Sequence, residues 1–360
     1  MATGTTDHSQ ADPSTPAPPE PPGAVRRMLL APVVIGLFLV IAFAGLMIPA
    51  LRDPVPHDVP LGVVGPPPAV AQISQRLEER VPGAFEVETF SSVEQARDAL
   101  RRQDVLGAIV LAQSGPPSLL VAGAAGDAPR QGVTTAFQAI AQAAGGAGPI
   151  EDVAPLPGND SRGLSGVLLC IALVVGALLF QATLALLAGR RPARDRLLLG
   201  FAYAVVSGVI GAVLAGPVIG ALEGNFAALL GISILLSLTV VGVVAACQTV
   251  FGILGVALAA LVVLPLGVSS SGGPVEQHFL PAFHAAVSQY LPMGSSVTLL
   301  RRVLYFDGLN ISAPLLTLAA WAVAAWIVFL VVERIRPYRP VLVLVPASAV
   351  PAVAGGVPQR

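Results

Sequence analysis

Residues Phe226–Val268 read FAALLGISILLSLTVVGVVAACQTVFGILGVALAALVVLPLGV, an apolar run without a charged side chain. A bilayer core about 30 Å thick needs roughly 20 apolar residues per helix, so this run is long enough for two spans and far too long for one. Similar apolar segments follow one another from Gly163 to Val332, and the charges between Arg196 and Glu333 all lie in short breaks. The sequence therefore predicts a bundle of five membrane helices here.

The composition also indicates a membrane protein. Of the 360 residues, 54% are hydrophobic and 11% are charged, and the mean hydropathy is +0.78, values that few soluble domains reach. The chain contains no lysine. Because a P-loop needs a lysine that reaches the nucleotide phosphates, this chain is not expected to hydrolyse ATP itself. Cys170 and Cys247 lie in apolar segments and are expected to be small packing residues.

A sixth helix is predicted ahead of the bundle. Residues 1–25 are rich in Pro, Ala, Ser and Thr and are expected to form a disordered tail. Met28–Leu51 is uncharged and too long for the apolar core of a cleaved signal peptide, so residues 26–51 are predicted to be transmembrane helix one. Arginines cluster before helix one, between helices two and three and after the last helix. Since short cytoplasmic loops retain arginine, we expect a multi-pass protein of the plasma (inner) membrane with both termini in the cytoplasm.

Residues 52–162 have the pattern of a soluble α/β domain outside the membrane. The segments predicted as strands are Val59–Gly65, Phe85–Phe90, Val105–Ala112 and Ser118–Val121. The predicted helices are Pro68–Arg80, one that opens with Ser91 and Glu94 at capping-box spacing, and Val133–Ala144. The order β-α-β-α-β-β-α indicates a small mixed sheet with helices packed on it. A Pro/Gly-rich linker, Gly145–Asp160, would lead back to the membrane.

The remaining five spans are predicted within residues 163–333. They are Leu164–Leu187, Leu197–Leu222, Phe226–Ala246, Val250–Val268 and Leu315–Val332, with a turn at Cys247–Thr249. The outer loop 269–314 carries apolar residues at helical spacing in pieces too short to span, which indicates an interfacial or re-entrant helix. Residues 334–360 would form a cytoplasmic tail. The predicted fold class is a mainly α membrane protein with six transmembrane helices and an extracytoplasmic α/β domain inserted between helices one and two.

Two sets of residues are candidates for contacts with partners or neighbouring helices. A row of arginines follows helix two and could dock a partner, or could only fix the topology or contact anionic lipid: Arg190, Arg191, Arg194 and Arg196. Helix three carries small residues at four-residue spacing, which is typical of a tight packing face within one chain or between two: Gly208, Ala212, Gly216 and Gly220. On this interpretation Gly216→Leu should disrupt assembly more than Gly211→Leu, and Pro217 could kink the helix.

The sequence offers no enzyme active site, and no cofactor is expected. No predicted span has an ionisable residue in its interior, which argues against a proton-coupled pump. A polar route could still use the amides and hydroxyls of the spans, although helix packing is the simpler role: Gln181, Ser207, Ser233, Ser237, Thr239 and Gln248. His278 and His284 are six residues apart and fall on different helix faces, so a shared metal ion is not expected. Nucleic-acid binding is not expected either, because no basic patch is interleaved with aromatic residues.

Two segments carry a resemblance to a known superfamily. They are FSSVEQARDALRRQDVLGAIVL (Phe90–Leu111), and LPLGVSSSGGP (Leu264–Pro274) followed by RRVLYFDG (Arg301–Gly308). With the layout of one helix, an outer domain and five further helices, residues 26–335 resemble the permease subunits of type-2 ABC exporters, close to the phage-infection-protein and type VII secretion accessory branch.

The resemblance implies a homodimeric or paired channel for lipids, drugs or polymers, driven by a separate ATPase subunit that docks on cytoplasmic elements. The docking elements would be the stretch before helix one and the loop Gly189–Arg196. Exporter permeases usually present an amphipathic helix before helix one, whereas residues 1–25 are Pro-rich here. The alternative is therefore an ATPase-independent membrane scaffold or accessory protein for secretion or the cell envelope.

Overall fold

The computed structural model describes residues 22–52, 54–111, 115–143, 145–187 and 192–335. These residues are mostly helical, with a small sheet. Five of the described helices are long and apolar enough to cross a membrane, and their apolar stretches are Val33–Leu51, Ser165–Leu186, Ala193–Val218, Phe226–Phe251 and Ser312–Ile335. The prediction of a mainly α membrane protein is therefore confirmed.

The sheet has five strands: β1 Val59–Val64, β2 Phe85–Phe90, β3 Gly107–Val110, β4 Ser118–Val121 and β5 Ile150–Asp152. Their order is β2-β1-β3-β4-β5. The first strand runs parallel to β2 and β3, β4 is antiparallel to β3, and β5 is parallel to β4. The first four strands confirm the predicted ones with small shifts of their ends. The last strand lies in Gly145–Asp160. The prediction that this whole segment is a linker is therefore wrong in part.

Three helices pack on the sheet: α2 Pro67–Arg80, α3 Val93–Arg102 and α4 Asp127–Ala143. The first of them buries Val70, Ile73 and Leu77, the face that its periodicity predicted. The predicted cap of α3 is wrong by one residue, because it is the Ser92 hydroxyl that accepts the hydrogen bond from the amide of Gln95. We refer to residues 59–154 as the lobe.

The N-terminal helix α1, Pro22–Leu51, begins inside the predicted tail, because proline is tolerated in a first helical turn. Residues 22–25 are thus helical, and the rest of the tail, residues 1–21, lies outside the described residues. The contacts between residues divide the chain into two units, and the boundary falls after Ile41. The end of α1, from Ala42 onward, belongs to the second unit with the rest of the chain. Ala50, near that end, is buried in the same hydrophobic cluster as the sheet.

The bundle consists of α5 Ser165–Leu187, α6 Ala193–Val213, α7 Phe226–Phe251, α8 Ile253–Leu261, α9 Gly267–Ser269 and α12 Ser312–Ile335. Helix α7 is central, since it contacts α5, α6, α8 and α12 and is the most buried of the long apolar helices. The first and last of the five spans predicted for this bundle match α5 and α12 closely.

Two boundaries in the bundle differ from the prediction. The third predicted helix leaves α geometry after Val213 and passes through the π-helical turn Leu214–Val218, which contains Pro217. The predicted turn at Cys247–Thr249 is wrong, because α7 continues to Phe251 and the chain turns at Gly252, where φ is +65°. Thr249 lies within this helix, and its hydroxyl donates to the carbonyl of Ala245, one turn back, so its polar group has a partner inside the helix.

The predicted fifth helix is short and irregular. Helix α8 passes into α9 through a second π-helical turn, Val262–Leu266, which contains Pro265. Its apolar part, Leu254–Ser269, has fewer residues than the five long apolar helices. At 1.5 Å per residue it is roughly 24 Å long, a little less than the thickness of a bilayer core.

The outer loop contains a 3-10 turn, Gln277–Phe279, and two helices, α10 Ala282–Ser288 and α11 Pro292–Tyr305. This segment lies between the two hydrophobic cores. Phe279 and Phe306 are buried in the core of the lobe, whereas Val297 and Leu300 are buried in the core of the bundle. The loop is therefore a packed layer that joins lobe and bundle. Its interfacial or re-entrant character stays a prediction.

Candidate functional site

The candidate site is a half-enclosed polar cavity of about 130 Å³ at the junction of lobe and bundle. Gln103, just after α3, lines it from the lobe, and Leu106 and Ala125 complete that side. The opposite side comes from the joining layer, with Glu276 and His278 before α10 and a polar face of α11. We call this space the junction cavity.

Two consecutive arginines of α11 line the junction cavity. The Nη1 of Arg301 donates to the carbonyl oxygen of Gly272 over 3.1 Å, and its Nη2 reaches that of Gly273 at 3.5 Å. Burial lowers the pKa of both Arg301 and Arg302, but a guanidinium remains charged at neutral pH. Among the residues that the structure describes, neither guanidinium has a carboxylate within 4.0 Å. The site therefore has two cations without a direct counter-charge.

Arg302 also fastens the lobe to the joining layer. Its Nε donates to Oε1 of Gln103 over 3.0 Å, and its Nη1 donates to the carbonyl oxygen of Asn310. The side-chain amide of Asn310 donates in turn to the carbonyl of Arg102 over 3.1 Å. The Arg302–Gln103 and Asn310–Arg102 bonds join residues 199 and 208 positions apart in the chain, so they are specific to the folded junction.

Glu276 and His278 form a hydrogen-bonded pair in the wall of the junction cavity. The Nδ1 of His278 lies 3.1 Å from Oε1 of Glu276, and the amide of His278 donates to Oε2 over 2.8 Å. The hydrogen bond to Glu276 raises the pKa of His278, with smaller contributions from the charges of Asp58 and Glu86, although burial opposes it. The imidazole is thus protonated over a wider pH range than a free histidine, and it balances the Glu276 carboxylate.

A second, smaller cavity of about 20 Å³ lies behind the junction cavity, lined by Arg301, Tyr305 and Asp160. The carboxylate of Asp160 accepts hydrogen bonds from the amides of Leu164 and Ser165, which caps α5 at its N-terminus. Burial raises the pKa of Tyr305 to about 12, so its phenol is protonated at neutral pH. Arg301 thus has polar groups on both sides.

The predicted arginine row is divided by the structure. Arg190 and Arg191 lie outside the described residues, and Arg194 is exposed. Arg196 is only 7% exposed and forms an ion pair with Glu333 of α12. Its guanidinium also lies over the ring of Phe329, 5.2 Å from the centroid. The docking function stays a prediction, and Arg196 has a contact within the chain that its spacing did not reveal.

The glycine stripe of helix three packs within the chain. At Gly208 a Cβ would lie 2.7 Å from the Cα and N of Ile234 in α7, so the two helix backbones nearly touch there. Ala212 is fully buried, and Gly216 has ordinary contacts, the nearest at 3.4 Å to Leu229. Gly220 does not belong to the helix face, because it lies beyond the π-helical turn with φ at +68°.

The stripe of small residues also continues toward the N-terminus of α6, beyond the residues predicted from the sequence. Gly200 and Ala204 are also buried on α6. The predicted order of the Gly216 and Gly211 variants stays a prediction. A Cβ at Gly211 would lie 2.9 Å from a methyl at the end of the Leu169 side chain, whereas the nearest contact at Gly216 is 3.4 Å. Gly208 is the tightest position of the predicted stripe.

Polar side chains inside the bundle bond to its own helices. The Nε2 of Gln181 donates to the carbonyl of Val241 over 2.8 Å. Ser207 of α6 donates to the hydroxyl of Ser237 on α7 over 3.2 Å. Thr239 donates to the carbonyl of Leu235 in its own helix. These bonds support a packing role, and a polar route across the bundle stays a prediction.

The two histidines of the outer loop have different surroundings. His278 lines the junction cavity, whereas His284 of α10 is 5% exposed and neither ring nitrogen has a hydrogen-bond partner among the described residues. Burial lowers the pKa of His284. Within the described parts of the chain, no three His, Cys, Asp or Glu side chains converge as metal ligands.

A wide groove of about 620 Å³ lies between the lobe and the segments that follow α1 and α9. Pro54, Pro274 and Phe279 line it together with one face of α4, and most of its other lining residues are apolar. Arg80 lies among the few charged ones. Pro54 follows the end of α1 closely and Pro274 follows the end of α9 closely, so the groove lies next to two apolar helix ends.

Sequence reasoning did not find the residues of the junction cavity as a site. Arg301 and Arg302 were noted only within a segment that carries a resemblance, and Gln103 and Glu276 had no assigned role. A signal was present, because two adjacent arginines in a mostly apolar loop are unusual when no acidic residue lies within one helical turn. No protein-family model, no curated protein and no solved structure matches this chain.

Proposed function

We propose that this protein is the membrane-spanning permease component of an exporter, with both termini in the cytoplasm and its energy supplied by a separate ATPase chain. The observation that carries the proposal is the joining layer, which packs an outer lobe onto a bundle of apolar helices. In such an arrangement a substrate bound at the lobe can be coupled to movement of the helices. The resemblance of residues 26–335 to exporter permeases agrees with this layout.

Six crossings are part of the proposal, and the shared core of the lobe supports them. Val275 and Phe306 are buried in the same cluster as the sheet, so they must lie on the same side of the membrane as the lobe. In the described part of the chain, the long apolar helices that separate them from the lobe are three: α5, α6 and α7. An odd number of crossings would place them on opposite sides. The short helix Leu254–Ser269 supplies the fourth crossing, and a small local thinning of the bilayer accommodates its length.

The two ends of α6 support the proposed orientation. Asn159, which precedes α5, donates to the carbonyl of Gly220 after α6, so this end of α6 lies beside the lobe. The other end carries Arg194 and the Arg196–Glu333 pair. Since arginine is retained on the cytoplasmic side, the lobe is extracytoplasmic. This orientation is typical of a plasma (inner) membrane protein with an exposed outer domain.

The wide groove favours an amphiphilic lipid or drug as the substrate. Its lining is mostly apolar, with Arg80 among the charged residues, and it lies next to the ends of α1 and α9. Pockets of 300–1,000 Å³ with apolar walls and a few polar groups are typical of small-ligand sites. An amphiphilic lipid or drug fits this description better than a polymer does.

If ATP drives this protein, another chain hydrolyses it, because a chain without lysine cannot form a P-loop. Arg194 is the exposed arginine of the predicted docking loop that the structure describes. The alternative, an ATPase-independent scaffold for secretion or the cell envelope, is favoured by one observation. Residues 1–25 are Pro-rich, whereas exporter permeases usually present an amphipathic helix before helix one.

The test is purification of the intact protein from its native membrane in mild detergent, followed by identification of any nucleotide-hydrolysing chain that stays bound. We expect such a chain to co-purify with the wild type and with Arg76→Glu, a charge reversal at an exposed position on the lobe. Its amount should fall at least several-fold with Arg194→Glu. If no such chain is recovered, even after crosslinking in the membrane, the exporter proposal fails and the scaffold is favoured.

A further inference from the structure

The cations of the junction cavity point to a ligand. We propose that this cavity binds a small oxyanion of the phosphate class, held by Arg301, Arg302 and His278. The inference is independent of the exporter proposal, because it depends on the charges and hydrogen bonds of the cavity alone.

Counting donors supports an anion. A guanidinium has five N–H donors, and Arg301 uses two nitrogens on the carbonyls of Gly272 and Gly273, the second at the 3.5 Å limit of a hydrogen bond. A largely buried cation that lacks a carboxylate partner is unfavourable, because carbonyl dipoles replace only part of its hydration. The planar fork of donors matches the oxygens of a phosphate, which would restore the balance of charge.

The carboxylates around the cavity are already engaged. Glu276 accepts a hydrogen bond from the amide of His278 and lies 3.1 Å from its Nδ1. Asp104 pairs with Arg102 over 2.8 Å, and Asp160 caps α5. Glu276 and Asp160 act on Arg301, and Asp104 acts on Arg302, through space. Among the described residues neither guanidinium has a carboxylate in direct contact.

The dimensions of the cavity limit the ligand. About 10–15 Å³ of such volume already holds one water molecule, so 130 Å³ has room for a four-oxygen anion and its contacts. A nucleotide or a polymer is too large to fit inside. Thr298 and Gln103 add a hydroxyl and an amide to the walls. These neutral donors complement the arginines around a tetrahedral oxyanion.

The position of the cavity gives the ligand a structural consequence. Arg302 and Gln103 come from opposite sides of the junction and are joined by a single hydrogen bond of 3.0 Å. Both arginines belong to α11, so an anion that also accepts a hydrogen bond from the side-chain amide of Gln103 would hold α11 against the lobe more strongly. Occupancy of the site would thus stabilise the contact between the lobe and the bundle.

The phosphate group can come from free phosphate or from a lipid headgroup, and the experiment separates the two. Full-length protein in dodecyl maltoside, a detergent without a phosphate group, is titrated with inorganic phosphate and with sulfate by isothermal titration calorimetry. In a second arm, the unfolding temperature in this detergent is compared with and without added phosphatidylglycerol. Saturable binding in the first arm identifies a free anion. A rise in unfolding temperature in the second arm alone identifies a headgroup.

Variants connect the signal to the cavity. Arg302→Gln should weaken binding at least tenfold in whichever arm is positive, and Thr298→Val, which keeps the side-chain volume, should weaken it several-fold. Arg194→Gln, at the far end of α6, should leave it unchanged. The unfolding temperature of each variant without added anion reports its folding. The proposal is overturned if neither arm responds with the wild type, or if folded Arg302→Gln and Thr298→Val respond as the wild type does.

Discussion

Gly208 gives the sharpest test of the packing between α6 and α7. In Gly208→Ala the new Cβ would lie 2.6 Å from Cγ1 of Ile234 and 2.7 Å from its Cα and N, whereas carbon atoms in contact are about 3.5–4.0 Å apart. A side chain could rotate away, but the backbone of α7 cannot. The two helices must therefore separate by about 1 Å, and overpacking of this kind typically costs about 1–3 kcal/mol.

The matched control is Gly231→Ala on α7. Nothing lies within 4 Å of a Cβ at Gly231, so the substitution adds no clash and removes the helix-destabilising effect of glycine, which is about 1 kcal/mol. Unfolding in mixed micelles with increasing denaturing detergent, followed by the fluorescence of Trp321 and Trp326, gives both free energies. We expect Gly208→Ala to be destabilised and Gly231→Ala to be unchanged or stabilised. Equal effects of the two variants would contradict the close approach of α6 and α7.

Other contacts give equally direct tests. Glu333→Gln removes a buried carboxylate from Arg196 and should lower the free energy of unfolding by about 3 kcal/mol. The double variant Arg196→Met with Glu333→Leu should recover most of that free energy. An equal loss in the single and double variants would contradict the role of the unpaired buried charge. The hydrogen bond to Glu276 raises the pKa of His278 above the ordinary 6.5, so its contribution to stability should be complete below pH 6.5 and lost as the pH rises through the folded-state pKa. His278→Gln should flatten this dependence of the unfolding temperature on pH, and an unaltered profile would refute it. Ser92→Ala should cost about 1 kcal/mol in the same unfolding assay because it removes the cap of α3, and an unchanged free energy would show that the cap is not needed.

The lobe could largely be predicted because its strands carry local signals. FEVETF and SLLV are bounded by turn residues, and their strands were predicted at the right positions. The strand Ile150–Asp152 could not be found, since three exposed residues after a Gly/Pro segment have no strand pattern of their own. Pairing with β4 makes them a strand, so tertiary context decides. Helix α4 starts earlier than predicted, because Pro129 lies in its first turn, where proline is tolerated.

Hydropathy predicted the membrane helices but not their ends. It contains no information on backbone direction, so the turn at Gly252 was assigned instead to the polar residues Cys247–Thr249. Gly255 explains why the chain turns so sharply there, because a Cβ at this position would overlap the carbonyl of Cys247. The spacing of small residues likewise identified a packing face, but only the partner helix shows which glycine is in closest contact.

The junction cavity could not be predicted from local sequence patterns, for a different reason. Gln103 and Arg302 are brought together only when the lobe packs on α11, and no periodicity within either segment predicts that contact. The same applies to Arg196 and Glu333, which meet only because α6 and α12 both pack on α7. Contacts between elements that are distant in sequence therefore account for the parts of both sites that were missed.

The charged groups of the bundle lie at its two ends. A row of packed aromatic side chains begins at the end that carries Arg196 and Glu333. At the end far from the lobe, the guanidinium of Arg196 lies over Phe329, whose ring packs edge-on against Trp326 with centroids 5.7 Å apart. The indole fits between α6 and α7 because Gly200 and Gly242 have no side chains, and it donates to a backbone carbonyl of α7. A shift of the buried ion pair would therefore move a rigid ring held against both helices, and any larger residue at either glycine would displace that ring. Movement at the end far from the lobe can thus reach the centre of the bundle through close packing of the Trp326 ring against α6 and α7.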